Sequence, residues 1–330
     1  MTLVYEDVTA LQTETPNDAW KRIFDFAWQT CSPSIDRDKA HSVVAARDRA
    51  VGEMDLMLTS ACWDLWQNYE ASVPRTADVL AEWWAGKSPG RAVLILDALS
   101  LREVPWIIDG AKQRGMTVHR AEATGAELPA DTTPMAKALG FGQRSSLQNN
   151  GASGTHCLIG ARTETTDIAW EDCAAMIGAE PDWCFWHHWP DKMLHDYDDA
   201  GEGMPKLVES VATRLTADPF WTFVSRLAEG RRLVITSDHG YAASGSFPDA
   251  SKEQTAYLKE RFGASRWSTD TSKSRDWTPP IDLVVASQHG ENLFVNGRRK
   301  WKSQGGHPTL THGGLSVLEV AVPFIEISKD

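Results

Sequence analysis

From residue 91 onward, short apolar or β-branched runs alternate with stretches in which apolar residues recur every three or four positions. The runs predict buried strands, and they lie at residues 92–96, 116–119, 156–159, 183–186, 233–236, 283–285 and 322–327. Helices are predicted between them, at residues 104–113, 135–139, 207–215, 223–228 and 315–319. This alternation favours an α/β fold with a mostly parallel central sheet flanked by helices.

The first ninety residues carry a helical pattern without such runs. Thr15 followed by Pro16 is typical of a helix start, and Trp20, Ile23 and Ala27 then share one face. Apolar spacing predicts a second helix over residues 51–69 and a third over residues 80–84. We therefore expect a helical N-terminal region, residues 1–90, packed on a larger region that spans residues 91–330.

The C-terminal third adds a loop and a turn to this picture. Residues 264–280 are rich in Ser, Thr and Pro, which predicts a long loop. Residues 292–300 predict a hairpin that turns at Asn296-Gly297.

Composition narrows the class of protein. The chain has 330 residues, 42% of them hydrophobic, which is enough for a large α/β domain with an appendage. No apolar run approaches the roughly 20 residues of a membrane span, and the first residues lack the pattern of a signal peptide. Five cysteines without CxxC spacing predict reduced thiols, as in a cytoplasmic protein.

The charge of the chain argues against a protein that binds nucleic acid mainly through its phosphates. The formal net charge is −12, whereas such proteins are usually basic. One short run, Arg298, Arg299 and Lys300, could still contact the phosphate of a substrate. More often, such a run is a solvated strand edge that discourages aggregation.

Acidic and imidazole side chains stand where two predicted strands end. Asp97 follows the first strand, and Asp238 and His239 follow the strand at residues 233–236. Ligands of open α/β sheets bind beyond the carboxyl ends of the strands, so these side chains could meet at one metal ion. Alternatively, Asp97 caps a helix, Asp238 caps a turn and His239 lies on the surface.

Further candidate ligands lie elsewhere in the chain. Asp191 and His195 are four residues apart, so they would face the same way on a helical turn. His312 stands beside two glycines just before a predicted helix, where there is room for an ion or a phosphate. Competing residues crowd the same regions, and these are His187, His188, Asp196, Asp198, Asp199, His289 and His307.

Two adjacent hydroxyls could supply a nucleophile. Thr132 and Thr133 precede Pro134, which belongs in a first helical turn, so both lie at a helix N-terminus. A metal ion on a threonine oxygen would promote its ionisation and its attack on phosphorus. Capping alone would explain one of the two residues, and the spacing does not tell which.

In combination, these residues resemble the alkaline phosphatase superfamily, and within it the chain is most similar to a PglZ domain. The resemblance covers residues 91–330 and is carried by three stretches, Leu-Asp-Ala-Leu at 96–99, Thr-Ser-Asp-His-Gly at 236–240 and Thr-His-Gly-Gly-Leu-Ser-Val-Leu-Glu at 311–319. It implies a catalytic domain over this range that binds two divalent metal ions, usually zinc. One ion would be held by Asp97, Asp238 and His239, and the other by Asp191, His195 and His312. The two ions would lie about 4 Å apart.

The resemblance also implies an activity. A threonine would attack phosphorus and form a phosphothreonine that water then cleaves, and Thr132 is favoured over Thr133 because Pro follows two residues later, as in many relatives. A threonine argues against a sulfatase, and there is little room for the inserted domain of the related mutases. Phosphomonoesters and phosphodiesters, including nucleotides and oligonucleotides, are both plausible substrates.

A second function stays open beside this one. PglZ domains occur with phage-defence and signalling proteins, so protein partners of those systems are expected. The chain could therefore be a catalytically silent interaction module that keeps its metal ions for folding.

Overall fold

A six-stranded sheet runs through the middle of the protein. The computed structural model describes residues 5–152, 154, 156–196, 203–248, 250–272, 277–301 and 310–329. The strands of the sheet are β1 (Arg91–Leu96), β2 (Thr117–Gly125), β3 (Arg162–Thr166), β4 (Asp182–His187), β5 (Arg232–Thr236) and β11 (Ala321–Ser328). The smaller strands are β6 (Ala242–Ala243), β7 (Trp267–Ser268), β8 (Asp282–Ser287), β9 (Gly290–Val295) and β10 (Leu310–Thr311).

Helices surround this sheet. Those before β1 are α1 (Tyr5–Thr13), α2 (Pro16–Cys31), α3 (Ala40–Ser60), α4 (Tyr69–Ser72) and α5 (Thr76–Ala85). Those after β1 are α6 (Val104–Gln113), α7 (Thr132–Ala138), α8 (Trp170–Met176), α9 (Asp191–Asp196), α10 (Gly203–Thr216), α11 (Asp218–Ala228), α12 (Lys252–Phe262) and α13 (Val317–Val320). None of the described helices is both long and apolar enough to cross a membrane.

The strand order of the large sheet is β2-β11-β5-β1-β4-β3. The four strands β5, β1, β4 and β3 are parallel, and β11 runs antiparallel to its neighbours β5 and β2. The predicted mostly parallel α/β architecture is therefore confirmed. The register pairs Leu96 with His187 and Ile95 with Thr236, so β1, β4 and β5 end at the same edge of the sheet.

Both faces of the sheet are buried, which explains why its central strands are continuously apolar. Alternate residues of β1 enter different cores: Leu94 and Leu96 pack with α2 and α3, while Val93 and Ile95 pack with α5 and α7. A strand that is covered on one face only would alternate apolar and polar residues instead.

The N-terminal helices belong to the larger of these cores. Helix α2 begins at Pro16 with Thr15 as its cap, and it buries Trp20, Ile23 and Ala27 as predicted. Trp20 also donates its indole N–H to the carbonyl of Leu65 at 3.1 Å. Since this core contains residues from both sides of residue 90, the helices pack directly on the sheet domain, and a domain boundary at residue 90 stays a prediction.

Three predicted elements differ from the structure in part or in full. The second helix ends at Ser60, and a 3-10 turn and α4 carry the apolar residues beyond it. Residues 156–159 form no strand; the edge strand is β3, whose sequence Arg-Thr-Glu-Thr-Thr lacks an apolar run. The hairpin joins β8 to β9 and turns at Gln288-His289, so residues 292–295 form its second strand.

The predicted substrate-binding role of Arg298 is corrected by its surroundings. This side chain is 1% exposed, and its guanidinium donates to Asp55 at 2.5 Å and to Asp48 at 2.8 Å, both on α3. Asp48 also accepts a hydrogen bond from Arg102 at 3.0 Å. Arg298 therefore ties the C-terminal part of the chain to α3, and the substrate-binding roles of Arg299 and Lys300 stay predictions.

We expect Arg298→Met to lower the free energy of unfolding by about 3–5 kcal/mol, because it leaves the buried carboxyl of Asp55 without the cation that compensates it. Urea denaturation measures this loss. The matched control is Arg49→Met, at an exposed position of α3, the helix that carries Asp48 and Asp55. This substitution should cost less than about 0.5 kcal/mol. A loss below about 1 kcal/mol for Arg298→Met would contradict this structural role.

Candidate active site

Asp97, Asp238 and His239 stand at the adjacent carboxyl ends of β1 and β5, where the parallel register brings them together. The backbone turns sharply after Asp97, since Ala98 has a φ of 61°. The N–H of Ala98 donates to Asp238 Oδ1 at 3.0 Å, and the hydroxyl of Ser237 donates to the carbonyl of Leu96 at 2.9 Å. A backbone N–H at the end of β1 therefore holds the carboxylate at the end of β5, and the Ser237 hydroxyl links the two strand ends.

These three side chains form a tight, fully buried group. Each is 0% exposed, and their ligand atoms all lie within 4.8 Å of one another. His239 Nε2 is 3.5 Å from Asp97 Oδ1 and 3.5 Å from Asp238 Oδ2. His239 Nδ1 lies 2.9 Å from the carbonyl of Gly240, which favours a proton on Nδ1 and leaves Nε2 free to bind a metal ion.

Two atoms of this group are buried without a hydrogen-bond partner among the described residues, Asp238 Oδ2 and His239 Nε2. Burying polar atoms without partners costs free energy, so native proteins rarely leave them unpaired. A divalent cation between Asp97, Asp238 and His239 would satisfy both atoms. One nitrogen and several carboxylate oxygens are donors that suit zinc.

Asp191, His195 and His312 form a second group whose ligand atoms lie within 4.8 Å of one another. Asp191 Oδ2 is 3.4 Å from His195 Nε2 one turn along α9, and Asp191 Oδ1 is 3.5 Å from His312 Nε2. Asp191 Oδ1 is also buried without a hydrogen-bond partner among the described residues. Burial alone would raise the pKa of Asp191, but the hydrogen bond from His195 and the neighbouring imidazoles hold that pKa well below its usual value.

The two groups are in direct contact. The N–H of Asp191 donates to the carbonyl of Asp97 at 3.0 Å, and the rings of His239 and His312 stack with centroids 4.2 Å apart. All six predicted ligands thus lie in one place, arranged as the two trios that the resemblance implied.

Asp131 is a functional candidate that sequence reasoning missed. Its carboxylate lies within 4.8 Å of His239 and His312, so it forms a third possible ligand group with them. Asp131 is also the cap of α7: it accepts from the N–H of Thr132 at 2.7 Å and from the indole of Trp267 at 3.3 Å. The sequence offered one signal for this role, because an Asp directly before Thr-Thr-Pro is a typical helix cap. Since Asp131 caps α7, neither Thr132 nor Thr133 does so.

The two threonines differ in their surroundings. Thr132 Oγ1 is 3.4 Å from each carboxylate oxygen of Asp97, whereas Thr133 is exposed. Both line a cavity of about 420 Å³ that opens beside the ligand groups. Thr132 is therefore the hydroxyl that lies next to the first trio of predicted ligands.

Arg144 is a second candidate that the sequence did not reveal. Its guanidinium forms an ion pair with Asp97, and it lines the same cavity as the threonines. It comes from a 3-10 segment, Arg144–Asn150, which no apolar pattern or motif marks. Arg144 brings a positive charge to a site that is otherwise rich in carboxylates.

The competing residues fall into three groups. His187 is buried, its Nε2 lies 2.9 Å from the carbonyl of Ile168, and burial lowers its pKa to about 4, as for a structural histidine. His188 lies in the wall of the cavity, and His289 lies 3.2 Å from Glu127. Asp198, Asp199, His307 and the side chain of Asp196 lie outside the described residues.

Comparison with known proteins finds only distant structural likeness. No family model matches the chain, and no curated protein matches its sequence. Murine ectonucleotide pyrophosphatase/phosphodiesterase 5, as an inactive variant in complex with AMP, is 12% identical with a TM-score of 0.45, over 73% of this chain and 88% of that chain. A second structure of that murine protein is 11% identical with a TM-score of 0.44, over 72% and 88% of the respective chains.

Proposed function

We propose that this chain is a metal-dependent phosphoester hydrolase of the alkaline phosphatase superfamily, of the PglZ type. One observation carries the proposal: two groups of candidate metal ligands touch each other beside the Thr132 hydroxyl at the carboxyl edge of the sheet. Ligands of α/β proteins bind at this edge, and paired metal sites are typical of phosphoryl transfer.

The donor set fits two divalent cations, with zinc favoured by the nitrogen ligands. Asp97, Asp238 and His239 would hold one ion, and Asp191, His195 and His312 the other. When bound, such ions lower the pKa of a nearby hydroxyl and offset the negative charge of a phosphoryl group. The unpartnered buried atoms of Asp238, His239 and Asp191 support this assignment.

Thr132 and Arg144 then have different roles in the reaction. The oxygen of Thr132 gives its proton to solvent and attacks phosphorus, and the bond from phosphorus to the leaving oxygen breaks as that oxygen takes up a proton from solvent. Water next attacks the phosphothreonine and restores the Thr132 hydroxyl. Arg144 contributes a guanidinium, which pairs with phosphoryl oxygens in a bidentate manner once it turns from Asp97.

The purified protein with zinc is expected to release p-nitrophenol from p-nitrophenyl phosphate or from bis-p-nitrophenyl phosphate. A chelator should abolish this release and added zinc should restore it, because the ligand groups hold their ions by equilibrium binding. Absorbance of p-nitrophenolate measures both results. Bound zinc without turnover of any phosphoester would overturn the proposal in favour of a silent, metal-stabilised interaction module of a phage-defence or signalling system. Partners from those systems and a cytoplasmic location stay predictions.

A further inference from the structure

We propose that the cavity beside Thr132 binds a hydroxyl-rich leaving group, so that the substrate is a small polyol or sugar phosphate. This inference rests on the proposed function, since it names the substrate class of the same site. The reaction would convert the sugar phosphate and water to the free sugar and inorganic phosphate, with Thr132 carrying the phosphoryl group in between.

The position of the cavity suits the leaving group of a phosphoester. Its volume of about 420 Å³ lies within the range of about 300–1,000 Å³ that small-molecule sites occupy. Thr132 and Thr133 form one side of it, beside Asp97. A substrate whose phosphorus lies at Thr132 would therefore extend its leaving group into this space.

Polar side chains line the cavity. One wall is the segment that carries Gln143, Ser145 and Gln148, and the other is the end of β3 with His188. Each lining side chain carries a hydroxyl, amide, carboxylate, guanidinium or imidazole group, and none is aliphatic, phenyl or indole. Such walls offer hydrogen bonds to a polar ligand at every lining side chain, and they present no aliphatic or phenyl side chain to an apolar one.

Several of these groups are available to a ligand. Gln143 and Gln148 are exposed, and in the described part of the chain no hydrogen bond engages their side-chain amides, which both donate and accept. The opposite wall is held in place, because Thr165 Oγ1 lies 3.1 Å from His188 Nε2 and Asp167 pairs with Lys192 at 2.8 Å. Hydroxyl groups also donate and accept, so the hydroxyls of a polyol can form hydrogen bonds with the side chains of both walls.

Two observations disfavour nucleotides. Recognition of bases in single-stranded nucleic acids relies on stacking against aromatic side chains, worth about 1–3 kcal/mol per base, and His188 is the only ring in this lining. In addition, the net charge of −12 repels an extended chain of phosphates, whereas one phosphoryl group needs a single cation, for which Arg144 suffices.

Isothermal titration calorimetry on the zinc-loaded Thr132→Ala variant tests binding without turnover. Glucose 6-phosphate is expected to bind at least about tenfold more tightly than inorganic phosphate, phenyl phosphate or adenosine monophosphate, the equivalent of about 1.4 kcal/mol in added hydrogen bonds. If any of these three binds as tightly as glucose 6-phosphate, the inference is overturned.

Kinetics of the zinc-loaded Gln148→Ala variant provide the second test. The ratio of kcat/KM for glucose 6-phosphate to kcat/KM for p-nitrophenyl phosphate should fall about five- to tenfold, because only the sugar has hydroxyls for this amide to bind. Gln113→Ala, at an exposed position on the far end of α6, is the matched control and should leave the ratio unchanged. An unchanged ratio for Gln148→Ala would contradict the inference.

The two proposals fail in different ways. Suppose that the wild-type protein cleaves p-nitrophenyl phosphate, but that the Thr132→Ala variant binds glucose 6-phosphate no more tightly than the other three ligands. The substrate class is then wrong and the proposed function stands. If it cleaves neither compound nor any other phosphoester, the proposed function itself is wrong and this inference falls with it.

Discussion

Replacing Thr132 by alanine is expected to lower phosphoester turnover about 1,000-fold or more, because the variant has no oxygen beside Asp97 to attack phosphorus. The zinc content should be unaltered, since none of the six proposed metal ligands changes. Release of p-nitrophenol measures the rate, and metal analysis of the purified variant confirms that the ions are present. A loss of turnover with unaltered zinc content would identify the hydroxyl as the nucleophile.

Thr133→Ala is the matched control, since it removes the neighbouring hydroxyl from the same turn of α7. Its rate should fall far less, by about tenfold at most, because Thr133 lines the cavity and none of its described contacts reaches Asp97. The opposite ranking, with Thr133→Ala the inactive variant, would assign the nucleophile to Thr133. Equal, small effects of both substitutions would exclude a threonine nucleophile.

Removal of the metal ions is expected to have the second large effect, on stability. A cation at about 1,000 times its Kd adds about 4 kcal/mol to the free energy of unfolding. A chelator should therefore lower the Tm of the wild-type protein by several degrees, and zinc should restore it. Asp238→Asn should weaken this response to zinc and abolish turnover, because it removes a buried negative ligand from one of the two proposed ions while the group of Asp191, His195 and His312 is unchanged.

The metal-free Asp238→Asn protein should not be less stable than the metal-free wild type. The asparagine oxygen can still accept from Ala98 and His239, while repulsion between the buried carboxylates of Asp97 and Asp238 is relieved. Differential scanning calorimetry with and without zinc measures both effects. Asp64→Asn, at an exposed position, is the control and should respond to zinc as the wild type does. A full zinc response in Asp238→Asn would rule out this residue as a ligand.

Helices and central strands could be predicted because their signals are local. The continuous apolar run of β1 reflects burial on both faces, and the Thr15-Pro16 pair marks the start of α2 in any context. Edge strand β3 could not be predicted, because its polar residues carry no period, and β3 forms only when it pairs with β4. The turn at Gln288-His289 was missed for a similar reason, since Asn296-Gly297 is the stronger local signal.

The candidate site shows the same division. The amino-acid order alone singled out Asp97, Asp238 and His239, since an acid or imidazole directly after a buried strand is a local pattern. It did not reveal Arg144, which comes within reach of Asp97 only when the chain between them has folded. Nor did it reveal that Arg298 is buried between Asp48 and Asp55, because a basic residue looks the same in the sequence whether its partner is a ligand or α3.

By itself, then, the sequence determined the type of fold and singled out the candidate metal ligands, because these depend on periodicity and on residue type. Only the tertiary structure decided which side chains meet: that Thr132 rather than Thr133 lies against Asp97, that Asp131 lies beside the candidate ligands His239 and His312, and that polar side chains line the adjoining cavity. The physical reason is that contacts between distant parts of a chain follow from how the helices and strands pack. The local order of residues marks which faces are buried, but not which distant side chains meet there.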